Sequence, residues 1–476
     1  MVEVESYELR RYLPMPYEAA LGPRLLRVQG RAEEAAGWQE TCPELLRAVG
    51  ARLRAGSGAL IAVGDGGLGA RAVAGRLCSG GEFRLFFPEP VSAALREVLA
   101  QTDGLPVSVF VFGPLRDPGT AAFLRLLLDA LAARNPRGPA CQVAAAAVEG
   151  TSLMNVARSQ GWEILPVPAA GRFDILTAAG LLPAAAAGAG IESLLQGASD
   201  MLSRCREASF ENPAWRYAAL RYELYRRGRT VEILSSRDPD MEGVLDWWQA
   251  LFAGAEGKDG KGLLPVAAKA AAGPWGLGQY LQEGRRMMFE TVLQFGGPLE
   301  TPYGRRKTAG PASLPESELD FLREKSEEAL LTAHSRAGVP CLRITARGQQ
   351  AARREAQASG NGLVAAGNAR TVRAAGQTGA KMLLAGQSGA GTLTAGTISA
   401  GQGRAEPPEP PENQAADNAR TLGELLCFFQ FACGLSAGLL DVDPQDCGAL
   451  ETYHKELSGL LTRLRGPEHR PSAGQL

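Results

Sequence analysis

Short apolar runs alternate along the first 190 residues with stretches whose apolar positions recur every three or four. Ala59–Val63, Phe83–Phe87, Val107–Phe112, Gln142–Ala147 and Glu163–Val167 read as strands. Helix-like segments separate them; the first is LGARAVAGRL, which follows the Gly-rich turn GDGG. Short strands that alternate with helices predict a parallel sheet covered on both faces. Upstream, residues 1–45 read as a helical arm, with LRRYL and LLRVQ patterns divided by Pro-containing turns.

A second unit begins near Glu192. Asn212–Arg227 is helical, with Tyr217, Leu220 and Leu224 at core spacing, and Thr230–Leu234 is a strand. Met241–Phe252, Gln279–Leu293 and Glu316–Ser335 read as helices, and Pro340–Thr345 as a strand. Thr421–Leu440 is a strongly apolar helix. Asp446–Leu464 closes the chain, with Leu450, Tyr453, Leu457 and Leu460 spaced for one buried face. Ile175–Ile191, uncharged and broken by Pro183, is too short to span a bilayer and reads as a buried helix.

The pattern fails between 346 and 420. Ala-Gly recurs at 366, 375, 385, 390, 395 and 400, no aromatic residue occurs, and the segment runs into PPEPPENQ. A small solenoid of stacked turns is one reading. A flexible insertion with a Pro-rich exit is the preferred one, because such residues bury too little apolar surface to offset their ordering entropy. The resulting division is an arm (1–45), a first α/β subdomain (46–190), a second (191–345 with 421–465), the insertion (346–420) and a tail (466–476).

Composition narrows the classes. The 476 residues, 45% apolar, suffice for two or three domains. A net charge of −1 gives no electrostatic footprint for nucleic acid or an anionic membrane. The eight Cys form no C-x-x-C pair, so reduced thiols are expected, with no metal site and no cofactor. Met1–Tyr12 carries five acidic or basic side chains and no apolar run, so no secretory signal is expected there and a cytoplasmic location is.

Four stretches carry a resemblance. Trp247–Arg286, WWQALFAGAEGKDGKGLLPVAAKAAAGPWGLGQYLQEGRR, resembles a family segment reading WWKQLFGESEGK, then D-x-K-G-I-F-P, then D-L-H-S-L-G-Q-Y-x-Q-E-G-R-R. Ala169–Ala198 is similar to G-G-R-F-S-x-L-T-x-x-G-L-L-P, and Glu211–Leu234 to E-N-P-A-x-x-Y-A-A-x-R-x-x-L-Y-x-K-G-K-x-I-E. Leu439–Lys455 is similar to L-L-G-V-N-P-F-D-Q-P-G-V-E-A-Y-K-K. The family is that of the bacterial glucose-6-phosphate isomerases. The resemblance implies two sugar-isomerase-type subdomains, each a parallel sheet flanked by helices. It also implies a sugar phosphate substrate, a homodimer, and a glycolytic or gluconeogenic reaction that interconverts glucose 6-phosphate and fructose 6-phosphate through an enediol.

The positions that resemblance marks for chemistry are substituted. Proton transfer between C1 and C2 needs a carboxylate base; the family uses the first Glu of G-E-S-E-G-K, and here that position is Gly254. Glu256 matches the second Glu and is the one candidate surrogate, displaced by up to ~7 Å along the chain. The ring-opening His of D-L-H-S-L-G-Q is Trp275. The first Lys of V-E-A-Y-K-K is His454, and the Gln of F-D-Q is Cys447. His334 matches another family His, not the ring-opening one. The phosphate loop S-K-S-G-T-T-T-E-P has become VFVFGPLRDPGT, with Arg116 its one cation, Pro114 lacking an N–H, and no hydroxyl before Thr120. The earlier loop G-I-G-G-S-Y-L-G-A-R has gained Asp65, which would repel a phosphate. Arg172, Gln279 and Glu451 remain at substrate-binding positions; Asp174, where the family has Ser, is placed to occupy Arg172.

The expectation is a family member with weak or no isomerase activity, a pseudoenzyme. Two alternatives stay open: an active isomerase with a rebuilt site or a different, unphosphorylated sugar, and a non-catalytic protein that binds a ligand or a partner.

Overall fold

A computed structural model describes residues 1–7, 9, 13, 17–37, 41–65, 67–78, 82–134, 141–168, 171–268, 274–296, 316–348 and 411–465. It opens with strand β1 (Val2–Tyr7) and continues with helices α1 (Tyr17–Ala35) and α2 (Pro43–Ala55). The first sheet is built from β2 (Ala59–Gly64), β3 (Arg84–Phe86), β4 (Val107–Phe112), β5 (Gln142–Ala147) and β6 (Glu163–Pro166). Its helices are α3 (Leu68–Leu77), α4 (Ser92–Gln101), α5 (Pro118–Arg134) and α6 (Ser152–Gln160), followed by α7 (Ala178–Ala186) and α8 (Ile191–Cys205).

All pairings in this sheet are parallel, in the order β3-β2-β4-β5-β6. Period-2 geometry sends alternate side chains to opposite faces, so a strand covered twice is apolar at nearly every position; Ser108 on β4 is buried and donates to the Leu53 carbonyl at 2.9 Å. On β2, Ala59, Ile61 and Val63 pack with Leu127 and Leu131 of α5, whereas Leu60 and Ala62 join the core that holds Leu181 and Leu182 of α7.

The second half contains α9 (Pro213–Arg226), β7 (Val231–Ser235), α10 (Glu242–Glu256), β8 (Leu264–Ala268), α11 (Gln279–Glu283), β9 (Met288–Phe295), α12 (Glu316–Arg336) and β10 (Cys341–Ala346). Two more helices follow, α13 (Pro411–Leu439) and α14 (Gly448–Arg465). The second sheet runs β1-β10-β9-β7-β8. Four of its strands are parallel, and β1 lies antiparallel along the edge of β10. The entry to α9 shows why the chain turns where it does: Asn212 Oδ1 accepts from the N–H groups of Ala214 and Trp215, and Pro213 stands at the first helical position.

The long apolar helix α13 ties the core together. Asn413–Leu439 is long and apolar enough to cross a membrane, yet 94% of its most apolar stretch is buried inside the protein. Phe428, Phe429 and Phe431 are fully enclosed. It crosses α8 at close range because both helices present glycine: a Cβ on Gly197 would overlap the Arg420 carbonyl, and one on Gly423 the Leu194 carbonyl.

The fold class is therefore as expected, two sheets of parallel strands flanked by helices, with an antiparallel edge strand β1 on the second and with differences of detail that include the unpredicted β8. The chain opens with an edge strand rather than helix. Gln279–Leu293 is one short helix followed by β9, because Gly284–Met287 breaks it. Helix α13 starts at Pro411, inside the segment read as insertion; the rest of that segment, 349–410, lies outside the described residues. The stripe of α14 is not buried: Leu450, Tyr453 and Leu460 are each about half exposed.

Candidate active site

The site forms where the last turn of α10, the segment after β6 and the loop before α14 meet. Gly254 lies in that last turn. Its carbonyl accepts from Arg172 Nη1 at 2.6 Å. The same nitrogen donates to the carbonyls of Pro444 at 2.6 Å and Asp446 at 3.2 Å, and Arg172 Nη2 reaches Cys447 Sγ at 3.4 Å. The guanidinium is thus spread over backbone acceptors from two segments. A Cβ at Gly254 would stand 2.9 Å from Arg172 Nε, so the guanidinium occupies the space where a side chain at 254 would begin. Lys258 joins this cluster. Its ammonium donates to the Asp443 carbonyl, and burial, then the neighbouring Arg172, lowers its pKa below the ordinary lysine value. No sequence feature beyond its place in the AEGK stretch marked Lys258.

Asp174 does not pair with Arg172, contrary to the sequence reading. Its Oδ2 accepts from the Gly171 N–H at 3.3 Å, and Arg172 is already spread over carbonyls. Burial pushes the Asp174 carboxyl up to about 6.

Glu256, two residues past Gly254, is fully enclosed. Both its oxygens accept from Arg221, Oε2 at 3.3 Å from Nη2 and Oε1 in a short contact with Nη1. Arg221 also donates from Nε to Glu232 Oε2 at 2.6 Å and from Nη1 to Ser436 Oγ at 2.6 Å. Tyr217 Oη and Thr291 Oγ1 complete Glu232 Oε1, at 2.7 and 2.6 Å. The Phe252 ring lies 4.3 Å from the Arg221 guanidinium. Every carboxylate oxygen in this buried network has a donor, which is what makes two carboxylates around one cation tolerable out of water.

At the first sheet, strand order reverses between β2 and β4, the place where open α/β sheets usually receive ligands. Asp65 follows β2 directly. Its Oδ2 accepts from the Arg116 N–H at 2.7 Å, so a carboxylate from within the chain takes a backbone donor of the loop that resembles the phosphate loop. Burial raises the Asp65 pKa, a cost only partly offset by the Arg116 N–H. Further along, Asp117 Oδ2 accepts from the N–H and hydroxyl of Thr120. The Arg116 side chain is exposed.

The remaining predicted residues stand apart. Trp275 belongs to a π-helical turn, Pro274–Gly278, and its side chain lies outside the described residues. Gln279 is exposed and donates to Glu283 Oε2 at 2.9 Å. Glu451 and His454 lie on α14; Glu451 is exposed, and the His454 ring packs 5.4 Å from Tyr453. Among the described residues none of these three bonds to Arg172.

No family model matches the chain. Individual proteins do. It is 41% identical over 191 residues to the glucose-6-phosphate isomerase of Enterococcus faecalis, covering 39% of this chain and 42% of that protein. It is 31% identical over 316 residues to that of Bacillus cytotoxicus, covering 65% and 55%. Against the enzyme of Heliobacterium modesticaldum the match is 30% over 435 residues, covering 86% of this chain and 82% of the other. Among solved structures, a hypothetical protein from Thermus thermophilus superposes with a TM-score of 0.69 over 98% of this chain and 99% of that one, at 18% identity. A glucose-6-phosphate isomerase from Chlamydia trachomatis gives 0.61 over 90% and 74%, at 14% identity. These two share the fold, and the near full-length match to the Heliobacterium protein decides the family: the chain belongs to the glucose-6-phosphate isomerases.

Proposed function

We propose that this family member turns over glucose 6-phosphate and fructose 6-phosphate weakly or not at all, its site filled by its own side chains. One observation carries the reading: Arg172 lies across Gly254 on three carbonyls, in the space a base at 254 would need. Glu256 is not a replacement on this reading, since a base must reach its proton and this carboxylate is enclosed beneath Arg221. Asp65 stands where the phosphate would draw on backbone N–H groups, which weakens the anchor as well.

A coupled assay of fructose 6-phosphate isomerisation with the pure protein tests this. Positioned acid–base groups contribute ~10²–10⁴-fold each, and their losses are not additive. Turnover at least ~10³-fold below that of a family enzyme is expected. Robust turnover that survives removal of host isomerase would overturn the reading. The homodimer, implied by the family, and the cytoplasmic location and subdomain division, read from the sequence, belong to the same proposal, with the second subdomain resuming at Pro411.

A further inference from the structure

The second sheet has its own reversal of strand order, between β7 and β9, and a cavity lies there. Ser235, Ser236 and Arg237 line it from the end of β7, Glu290 from β9, Leu277 from the π-helical turn and His334 from α12. The cavity is partly open, and its volume is about 40 Å³. That is roughly three times the ~10–15 Å³ that a single water needs on the same measure. A terminal hydroxymethyl group with the carbon behind it fits; a whole sugar ring does not.

A buried pair lines this cavity. Glu290 is 2% exposed and His334 1%. Glu290 Oε2 lies 2.7 Å from His334 Nδ1, and its Oε1 accepts from Ser235 Oγ at 3.3 Å. The Glu290 contact occupies Nδ1, which leaves Nε2 as the ring's other polar atom. That Nε2 is buried and has no hydrogen-bond partner. Buried polar atoms of this kind are uncommon, and a ligand hydroxyl, which both donates and accepts, would satisfy this one.

We propose that the crevice binds a small uncharged polyol or open-chain sugar, which enters end-on and hydrogen-bonds through a terminal hydroxyl to His334 Nε2. Glu290 and Glu327 both line the space, while Arg237 already donates to Ser326 Oγ at 2.8 Å, so a phosphate would meet two carboxylates against one engaged cation. Ser236 Oγ accepts from the Asp238 N–H at 3.3 Å and keeps its own proton for a ligand oxygen. The apolar remainder of the lining suits the C–H faces of a polyol. The crevice shares no residue with the Arg172–Gly254 cluster, and its occupancy does not depend on isomerase activity.

The chain has three histidines, at 334, 454 and 469, so full-length protein labelled with ¹⁵N at histidine gives a spectrum simple enough to assign with His454→Gln and His469→Gln. Erythritol is the probe, and glycerol 3-phosphate its anionic counterpart. A saturable change at His334 Nε2 with a midpoint in the millimolar range is expected with erythritol, and none with glycerol 3-phosphate. Leu277→Trp puts an indole at a lining position of the crevice and should abolish the response. If Leu277→Trp lowers the melting transition, Ser236→Ala, which removes only a hydroxyl, decides in its place and should weaken the midpoint several-fold. No His334 response to erythritol, a response unchanged by the blocking variant, a stronger response to glycerol 3-phosphate, or a non-saturating drift shared by all three histidines would each overturn the proposal.

Discussion

Glu256 and Arg221 allow a sharp test, because the network they form predicts an order of effects. In Glu256→Gln the amide oxygen can still accept from Arg221, and Arg221 keeps Glu232, so the remaining buried pair is neutral. The loss is the difference between charge-assisted and neutral hydrogen bonds, roughly 1–2 kcal/mol. In Arg221→Met two enclosed carboxylates lose their cation together. Breaking a single buried pair costs about 3–5 kcal/mol, so this variant should lose at least ~4 kcal/mol. Stranded carboxylates also take up protons. Their folded pKa values would rise above those of the unfolded chain, so the native state would bind more protons and the deficit should shrink as pH falls from 7 towards 5. Urea unfolding read by tryptophan fluorescence and circular dichroism gives the numbers, with Trp247 and Trp248 on α10 close to the network. Coincident transitions and an unchanged denaturant slope are needed for the comparison to hold. Equal losses in the two variants, or a loss below ~1 kcal/mol in Arg221→Met, would refute the account. A base role for Glu256 would instead show as a ~10²–10⁴-fold activity loss in Glu256→Gln with little change in stability.

Three further outcomes are expected. The Asp174 carboxyl stands at about 6 against an ordinary 3.8, a gap worth roughly 3 kcal/mol at 1.36 kcal/mol per pH unit. A raised folded pKa means no cost below pH ~4 and a growing one as pH rises to ~6, so Asp174→Asn should gain stability over the parent at pH 8 and not at pH 4; parallel pH profiles would contradict this. Gly423→Ala puts a methyl into the Leu194 carbonyl and should cost at least about 1–3 kcal/mol by thermal unfolding, whereas Gly75→Ala, with open space around it, should not. Gly254→Glu alone should raise turnover less than tenfold in the coupled assay, because the family's His and Lys positions remain Trp275 and His454.

Most strands of both sheets were legible in the sequence, and most clearly ALIAV, VSVFVF and QVAAAA, because doubly covered parallel strands advertise themselves by being apolar at nearly every position. Those that were missed carry polar residues for a tertiary reason. On β1, Val2 and Val4 face the core while Glu3 and Glu5 face water, an edge alternation too short to outweigh the LRRYL pattern beside it. On β9, Glu290 reads as a helix-surface residue until His334, 44 positions later, explains its burial. On β8, Pro265 argues against a strand, and its place at the sheet edge removes the objection. The spacing of Leu450, Tyr453 and Leu460 identifies a face but not what covers it. The candidate site divides in the same way. The absence of a carboxylate at 254 is written in the sequence. The resting place of Arg172 is not, since its acceptors lie 82, 272 and 274 residues away.

The contact between Arg172 and Gly254 also bears on history. With no side chain at 254, the guanidinium fills that room and holds the carbonyls of Gly254 and Pro444. Regaining the carboxylate is a different journey, because the new Cβ arrives 2.9 Å from Arg172 Nε and the arginine must first give up what holds it. On the function proposed above, a single reverse substitution meets a filled space while Trp275 and His454 stay in place and Asp65 still holds the Arg116 N–H. Return would then need several changes at once, and the site would behave as a ratchet.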